Sequence, residues 1–599
     1  MRQPFQFRLP WRRRLTVAAT AAALLAGFTT AGPASAEVST TPQTLAWGPC
    51  YWYSPDLGGP VPECATVTAP RDWAYPGAGP TVSVSISRVK ATDTAHRKGI
   101  LFTNPGGPGG AGSPLSWLIA MVAPKVAAQY DIIGMDPRGT GASTNLNCDV
   151  PLDPLLALGD YDTRDQSAPA VDSRQKLSKL IADACAANPL TRYVNTWQTT
   201  HDMDLVRDLL GEQKLNYLGY SYGTWLGAKY AAMFPASTGK VVLDSNTAWV
   251  DDLATTWERM PLSFQRRFDT QLLAWITRSP IFSKYLGTSP AGVNHYYELS
   301  RARFIQYWQS PSQGSFLDSF VAGSLYTDVG LFGAAFNIAL LKVCLVDNPN
   351  LDHTVVRACA DDFINQVFGD LSGEAATEIQ PELRENAASL LDHETVPDLG
   401  LDVVQTVVTR ARTATGDTIP VNGVFWSVRC GDGGQWHSPD WWVNFARRMG
   451  PVFPLAGWRS GEEVCAYWTV PAQPLPNPDA RRVPTILTVQ GELDPATAYE
   501  NNVRNVQGFA GTRLLAVDDG GQHGQYGLRG NGCVDDAVNA YLLDGVAPPA
   551  SDVCEAVPLF MEDTVYPVFG PVDARTPPRG GTRGHVTWWI RQRLEKLVR

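Results

Sequence analysis

The sequence predicts an α/β protein: a mostly parallel sheet flanked by helices, interrupted by a large, mainly helical insertion. Two patterns carry that expectation. Up to about residue 247, short apolar runs that end in glycine- or proline-rich turns alternate with helical spacing, as strands buried on both faces do. The rhythm then breaks, and strand-like runs resume only near residue 481, so an interrupted core explains the order better than two consecutive domains.

The elements follow in chain order. Thr81–Val89 ("TVSVSISRV") alternates apolar and polar residues, as a half-buried strand does. Residues 99–103 ("GILFT") and 130–134 ("YDIIG") read as buried strands. Residues 200–210 have helical spacing, with Met203, Val206, Leu209 and Leu210 on one side. Residues 215–218, 224–234 and 240–243 then read as strand, helix and strand. Helical stretches at 264–277 and 332–344 fall inside the insertion, and 485–489 ("TILTV") and 512–517 ("TRLLAV") restart the strands. The expected division is a leader at 1–36, a first part of the core at 37–247, a helical cap at 248–480 and a second part of the core at 481–599.

The leader has the anatomy of an export signal. Arg2, Arg8 and Arg12 to Arg14 precede a short apolar run over 15–28, and Ala34-Ser35-Ala36 offers a small-residue cleavage site. That run is shorter than the ~20 residues a spanning helix needs, so secretion is expected with cleavage near Ala36. The Arg13-Arg14 pair keeps twin-arginine export beside the general route, and Phe28, where a lipoprotein would need cysteine, disfavours lipid anchoring. No later membrane-spanning segment is expected.

Removing residues 1–36, which carry five arginines and no acid, shifts the formal charge from −10 to −15. So acidic a chain is a poor ligand for phosphate backbones, and nucleic-acid partners are excluded. The remaining basic cluster (Arg579, Arg583, Arg591, Arg593, Lys596, Arg599) reads as the solvated face of a terminal helix with Trp588, Trp589, Ile590 and Leu594 inward. Ten cysteines behind an export signal suggest five disulfides, and spacing favours neighbours: Cys50–Cys64, Cys148–Cys185, Cys344–Cys359, Cys430–Cys465 and Cys533–Cys554. There is no CxxC and no cysteine beside a histidine at ligand spacing, so zinc and thiol-redox chemistry are not expected.

The chemistry-bearing motif is "LNYLGYSYGTWLGAKYAAMFP". Gly219-Tyr220-Ser221-Tyr222-Gly223 lies where a strand hands over to a helix, the setting of a nucleophile elbow. A serine hydroxyl needs a base, and the base an orienting carboxylate, in the chain order serine, acid, histidine. His523, in the glycine-rich "DDGGQHGQYG" after the 512–517 strand, is the expected base. His96, His201, His295, His353, His393, His437 and His585 sit in places that suit surface or core side chains better. Asp494, in the turn of "TILTVQGELDPAT" after the 485–489 strand, is the favoured acid; Glu492 is its nearest rival, with Asp518 and Asp519 behind. The Tyr222 N–H should supply one oxyanion donor. "TNPGGPGGAGS" should supply the other, at Gly107. A flexible linker or a phosphate cradle is the competing reading of that loop, but it contains two prolines and no Walker lysine follows.

In that order, "NPGGPGGAGS", "YDIIGMDPRGTGAS", "LNYLGYSYGTWLGAKYAAMFP", "VQGELDPAT" and "GGQHG" resemble the secreted tripeptidyl aminopeptidase branch of the α/β-hydrolases, relatives of the prolyl aminopeptidases. The resemblance runs from about Trp47 to Cys554 and is thin across the insertion. It implies an α/β-hydrolase fold with a helical cap, and a serine exopeptidase that needs no cofactor or metal. Such an enzyme releases short peptides, tripeptides above all, from free N-termini. It implies Ser221 as nucleophile, Asp494 as orienting acid, His523 as general base, and Gly107 with Tyr222 as oxyanion donors. The family's acidic cap groups bind the substrate ammonium. Asp432 in "VRCGDGGQW" resembles a cysteine-x-aspartate element there, with a loop-closing aspartate as the usual alternative. Asp136 and Arg138 match a "DPRG" block read as a structural turn. A secreted carboxylesterase or lipase is the rival enzyme, and a silent binding module on the same fold the rival outside enzymes.

Overall fold

The computed structural model describes residues 43–77, 79–370, 384, 387, 388, 390, 391, 416–432 and 436–573. The leader with its cleavage site, the basic C-terminal segment, His393 and His585 lie outside the described residues.

A ten-stranded sheet forms the core. Its order is β1 (Gly48–Pro49), β2 (Glu63–Pro70), β3 (Thr81–Val89), β5 (Asp131–Met135), β4 (Ile100–Asn104), β7 (Leu215–Tyr220), β8 (Thr238–Asp244), β10 (Ile486–Gly491), β11 (Thr512–Asp518) and β12 (Ser551–Glu555). From β5 to β12 every neighbouring pair is parallel. The β1, β2 and β3 pairings are antiparallel. Every residue of β4, β5, β7 and β10 is buried, because helices cover both faces of a parallel sheet. The strand period of two divides their side chains: Phe102, Ile133 and Tyr217 enter one apolar cluster, while Leu101, Ile132 and Leu218 enter another on the opposite face. This is the α/β-hydrolase fold with parallel strands and flanking helices that the sequence predicts.

Between β8 and β10 the chain leaves the sheet and builds a mainly helical cap, including helices Ala254–Arg267, Pro290–Trp308, Ser312–Ser324, Asp328–Leu341 and Pro439–Met449. It has its own core around Phe268, Phe304, Leu331, Phe332 and Phe336. The stretch Asp328–Val346 is long and apolar enough to cross a membrane, contrary to the expectation that no such segment follows the leader. Its apolar side chains belong to that core, with Leu331, Phe332, Phe336 and Leu340 all fully buried.

One departure from the sequence reading concerns residues assigned there to the first part of the core. The strand β6 (Asn147–Pro151) pairs antiparallel with β9 (Thr418–Asn422), far along the chain, in a separate two-stranded ribbon. Helix Ala168–Ala187 packs on this ribbon through Leu177, Ile181 and Cys185, in one cluster with Ile419, Val421, Trp426 and Val464. Each short strand contributes only two buried side chains, and their pairing rests on contacts distant in sequence. All five neighbour disulfides are present, two of them, Cys148–Cys185 and Cys430–Cys465, inside this cluster.

Candidate active site

The sheet delivers three side chains to one end of its parallel strands. Ser221 follows β7 and opens helix Tyr222–Met233, with φ 57° and ψ −127°. That left-handed backbone costs on the order of 1–3 kcal/mol and persists only where the surroundings hold it. Here the Ser221 N–H donates to Asp244 O at 3.0 Å, and Thr224 donates to Ser221 O from both its N–H and its hydroxyl. The flanking glycines are required by contact: a Cβ at Gly219 would lie 2.5 Å from Gly223 O, and one at Gly223 would lie 2.8 Å from Asn104 O.

Asp494 and His523 meet from adjacent strands. After β10, Asp494 is fully buried and accepts the N–H groups of Ala496 and Thr497, both at 2.9 Å, and the Thr497 hydroxyl at 3.0 Å. After β11, His523 Nδ1 stands 2.9 Å from Asp494 Oδ2 and 3.0 Å from Oδ1. Glu492 turns the other way, accepting the N–H groups of Val572 and Asp519, and burial pushes its carboxyl up to about 8. Asp518 lies beside Glu492 and Asp573, and Asp519 accepts the Val568 N–H. The imidazole is thus paired with Asp494 rather than with any rival. The cap also grips this loop: Tyr326 O accepts the His523 N–H at 2.8 Å, and the Tyr326 ring meets the imidazole edge-on.

Ser221 and His523 line a cavity of ≈ 520 Å³ together with Gly107 and Tyr222. Gly107 lies in a loop braced by the Gly106 N–H on Asn104 Oδ1 and the Gly110 N–H on Gly106 O. The cap supplies Trp257, Met260, Phe264, Phe425, Trp426 and Trp442 to the walls. Among these apolar groups sits a buried ion pair of Arg429 and Glu463. The guanidinium carbon is 4.5 Å from the centre of the Trp257 ring and 5.2 Å from that of Trp436, an aromatic setting that favours a cation. Burial pulls Arg429 down to about 10 and pushes Glu463 up. Arg459 and Glu462 complete the charged lining.

Asp432 does not reach this lining. It is 2% exposed and lies behind Tyr222, accepting Thr196 N–H at 2.7 Å, the Thr196 hydroxyl and Trp225 Nε1–H at 3.1 Å. The Thr196 hydroxyl also meets Tyr222 Oη. Burial pushes Asp432 up to about 7 against those hydrogen bonds. With its lone pairs spent on protein donors, its placement is that of a loop-closing carboxylate; the acids that line the cavity are Glu462 and Glu463. The sequence carried one cue to them, the proximity of "GEEVC" to a cysteine bonded to Cys430. Asp136 and Arg138 are structural: Asp136 accepts the N–H groups of Ser113 and Ala142, and Arg138 makes a bidentate pair with Asp202.

Comparison with known proteins agrees with this architecture. A family model described as alpha/beta hydrolase fold matches residues 101–313, and one described as TAP-like protein matches residues 453–554. The chain is 29% identical to a tripeptidyl aminopeptidase of Streptomyces lividans over 86% of its length and 87% of that protein. These matches support a tripeptidyl aminopeptidase family of α/β-hydrolases. Further relatives are the serine protease Hip1 of Mycobacterium tuberculosis, 26% identical over 86% of this chain and 91% of that one, and a carboxylesterase B of the same organism, 29% identical over 91% and 99%. Among solved structures, a proline iminopeptidase of Mycobacterium smegmatis aligns with 80% of this chain and 97% of that one, at 12% identity and a TM-score of 0.27. The tripeptidyl aminopeptidase and serine protease relatives, with the α/β-hydrolase match, support a serine hydrolase, and the five disulfides fit an oxidising, extracellular setting.

Proposed function

We propose that the protein is a secreted serine exopeptidase that releases short peptides, tripeptides above all, from free N-termini, after its leader is cut near Ala36. The observation that carries this reading is the convergence of Ser221, the Asp494-bound His523, and the backbone of Gly107 and Tyr222 on one capped cavity. Ser221 Oγ attacks the scissile carbonyl as His523 Nε2 takes its proton, and Asp494 holds the ring and stabilises the imidazolium. The N–H groups of Gly107 and Tyr222 take the oxyanion. His523 then protonates the leaving amine, and water attacks the acyl-enzyme by the same steps in reverse. No step calls for a metal or organic cofactor.

The cap supports the exopeptidase part of the reading. A cavity of ≈ 520 Å³ falls within the ~300–1,000 Å³ range of small-ligand sites and suits a short peptide rather than a folded chain. Of the two acids in the lining, Glu463 is taken up by Arg429 and the Cys465 N–H, so Glu462 is the one placed to meet a substrate ammonium. The test is the cleavage of a tripeptide anilide against its N-acetylated form. Fast cleavage of the free peptide alone is expected, and equal rates on both would refute an aminopeptidase. A second reading, a secreted carboxylesterase, is favoured by the apolar walls and by the carboxylesterase B relative. A short acyl ester hydrolysed faster than any free tripeptide anilide would select it.

A further inference from the structure

Behind the cavity one residue is used twice. Asp244 closes β8, the strand between β7, which carries Ser221, and β10, which leads to Asp494. Its backbone carbonyl accepts the Ser221 N–H at 3.0 Å. Its carboxylate turns to the histidine loop, where Oδ2 accepts the N–H groups of Gln525 at 2.9 Å and Tyr526 at 2.7 Å. The next residue repeats the move: Ser245 Oγ accepts the Gly524 N–H at 2.7 Å. The three donors are the three residues that directly follow His523.

Two further facts make these bonds more than ordinary satisfaction of buried amides. The loop "DDGGQHGQYG" has neither helix nor strand around the histidine, and its glycines leave its course to outside contacts. Ser245 is also held at φ 60°, an unfavourable backbone for a serine, with its own N–H tied to Val489 O at 3.0 Å. That strain places its hydroxyl under Gly524. Asp494 already occupies the imidazole Nδ1, so Asp244 does not orient the ring itself.

We propose that Asp244 and Ser245 are positioning residues: by holding the nucleophile's backbone and the histidine loop on one rigid strand end, they set the separation of Ser221 Oγ and His523 Nε2 without touching substrate. The inference rests on the Ser221–His523 reading above. Elsewhere the loop is held by the cap through Tyr326 and Arg267 and by β7 through the Tyr220 hydroxyl on Tyr526 O, while Asp244 and Ser245 tie the three residues after His523 to the end of β8.

The test uses the full chain with Asp244→Ala, Asp244→Asn and Ser245→Gly. The readouts are the second-order rate of labelling of Ser221 by a fluorophosphonate, kcat and KM for a tripeptide anilide, and the thermal midpoint. Asp244→Ala should label ~100-fold more slowly, the cost of roughly an ångström of misplacement. KM should stay within about twofold, since no substrate contact is lost. Asp244→Asn keeps an acceptor for Gln525 and Tyr526 and should recover to within about fivefold of the wild type. Ser245→Gly relieves the backbone strain yet drops one anchor, so it should label ~10-fold more slowly at an undiminished midpoint. A folded Asp244→Ala that labels at the wild-type rate would overturn the proposal, as would an Asp244→Asn no faster than Asp244→Ala. If Asp244→Ala fails to fold, wild-type labelling of Ser245→Gly overturns it instead. A wild-type chain that takes no label removes the serine-nucleophile reading, and the positioning role with it.

Discussion

Replacing Gly106 by alanine strikes the nucleophile elbow from the side. Gly106 has φ 97°, and a methyl group there would lie 2.6 Å from Tyr220 O, 2.7 Å from Ser221 Cβ and 3.0 Å from Tyr222 N. The first two approaches are closer than real Cβ atoms tolerate, and the atoms they meet belong to the backbone and to the stem of Ser221, so something must shift. The strained backbone contributes ~1–3 kcal/mol and the overpacking a further ~1–3 kcal/mol, for a total destabilisation of ~2–6 kcal/mol. The shift falls on Ser221 and on the Tyr222 N–H together, so fluorophosphonate labelling should slow at least ~100-fold. Gly211→Ala is the matched control. Gly211 also has a positive φ, 72°, but nothing lies within 4 Å of its Cβ position. It should therefore lose only the conformational ~1–2 kcal/mol and label normally. Denaturant unfolding with the disulfides intact gives the first quantity and labelling the second. The reasoning is refuted if Gly106→Ala loses no more stability than Gly211→Ala and labels within about twofold of the wild type.

Three other outcomes can be checked. Arg138→Met strands Asp202 as a buried charge, with Trp73 Nε1–H as its remaining donor, and should cost ~3–5 kcal/mol in unfolding experiments while kcat of the folded fraction stays unchanged. Burial raises Asp244 and Asp432 to about 7 and Glu492 to about 8, so each binds its proton more tightly folded than unfolded. Their stabilisation is complete below the ordinary carboxylate range and is lost as pH climbs through 7 to 8, so the thermal midpoint should be higher at pH 5 than at pH 8. Walls of Trp257, Phe264, Phe425 and Trp426 should favour bulky apolar residues in the released peptide by ~10-fold or more in kcat/KM over acidic ones, and equal rates in a tripeptide anilide series would contradict this.

The parts legible in the sequence are those in which local pattern and burial agree. The runs at 99–103, 130–134 and 485–489 are mostly apolar because the matching strands β4, β5 and β10 are buried on both faces. Gly219 and Gly223 announce a turn that no larger residue could make. The β6–β9 ribbon was illegible because "NCDVP" and "TIPVN" are short, proline-containing and meaningful only as a pair. Asp432 stayed open between an ammonium anchor and a loop-closing carboxylate because adjacency to Cys430 fixes where its backbone runs, not which way its carboxylate faces. Asp244 had a faint signal, an acid ending a buried strand beside the nucleophile strand, but its partners lie beyond the whole cap in sequence.

The ribbon between β6 and β9 also constrains how the chain can be assembled. As the polypeptide emerges, Asn147–Pro151 must wait with an open edge until Thr418–Asn422 has been made, so the roof over the cavity closes late. A chimera that exchanges only the stretch between β8 and β10 would orphan that waiting strand. Transplanting a roof from one family member to another therefore requires moving two separated pieces at once, with their two cystine links.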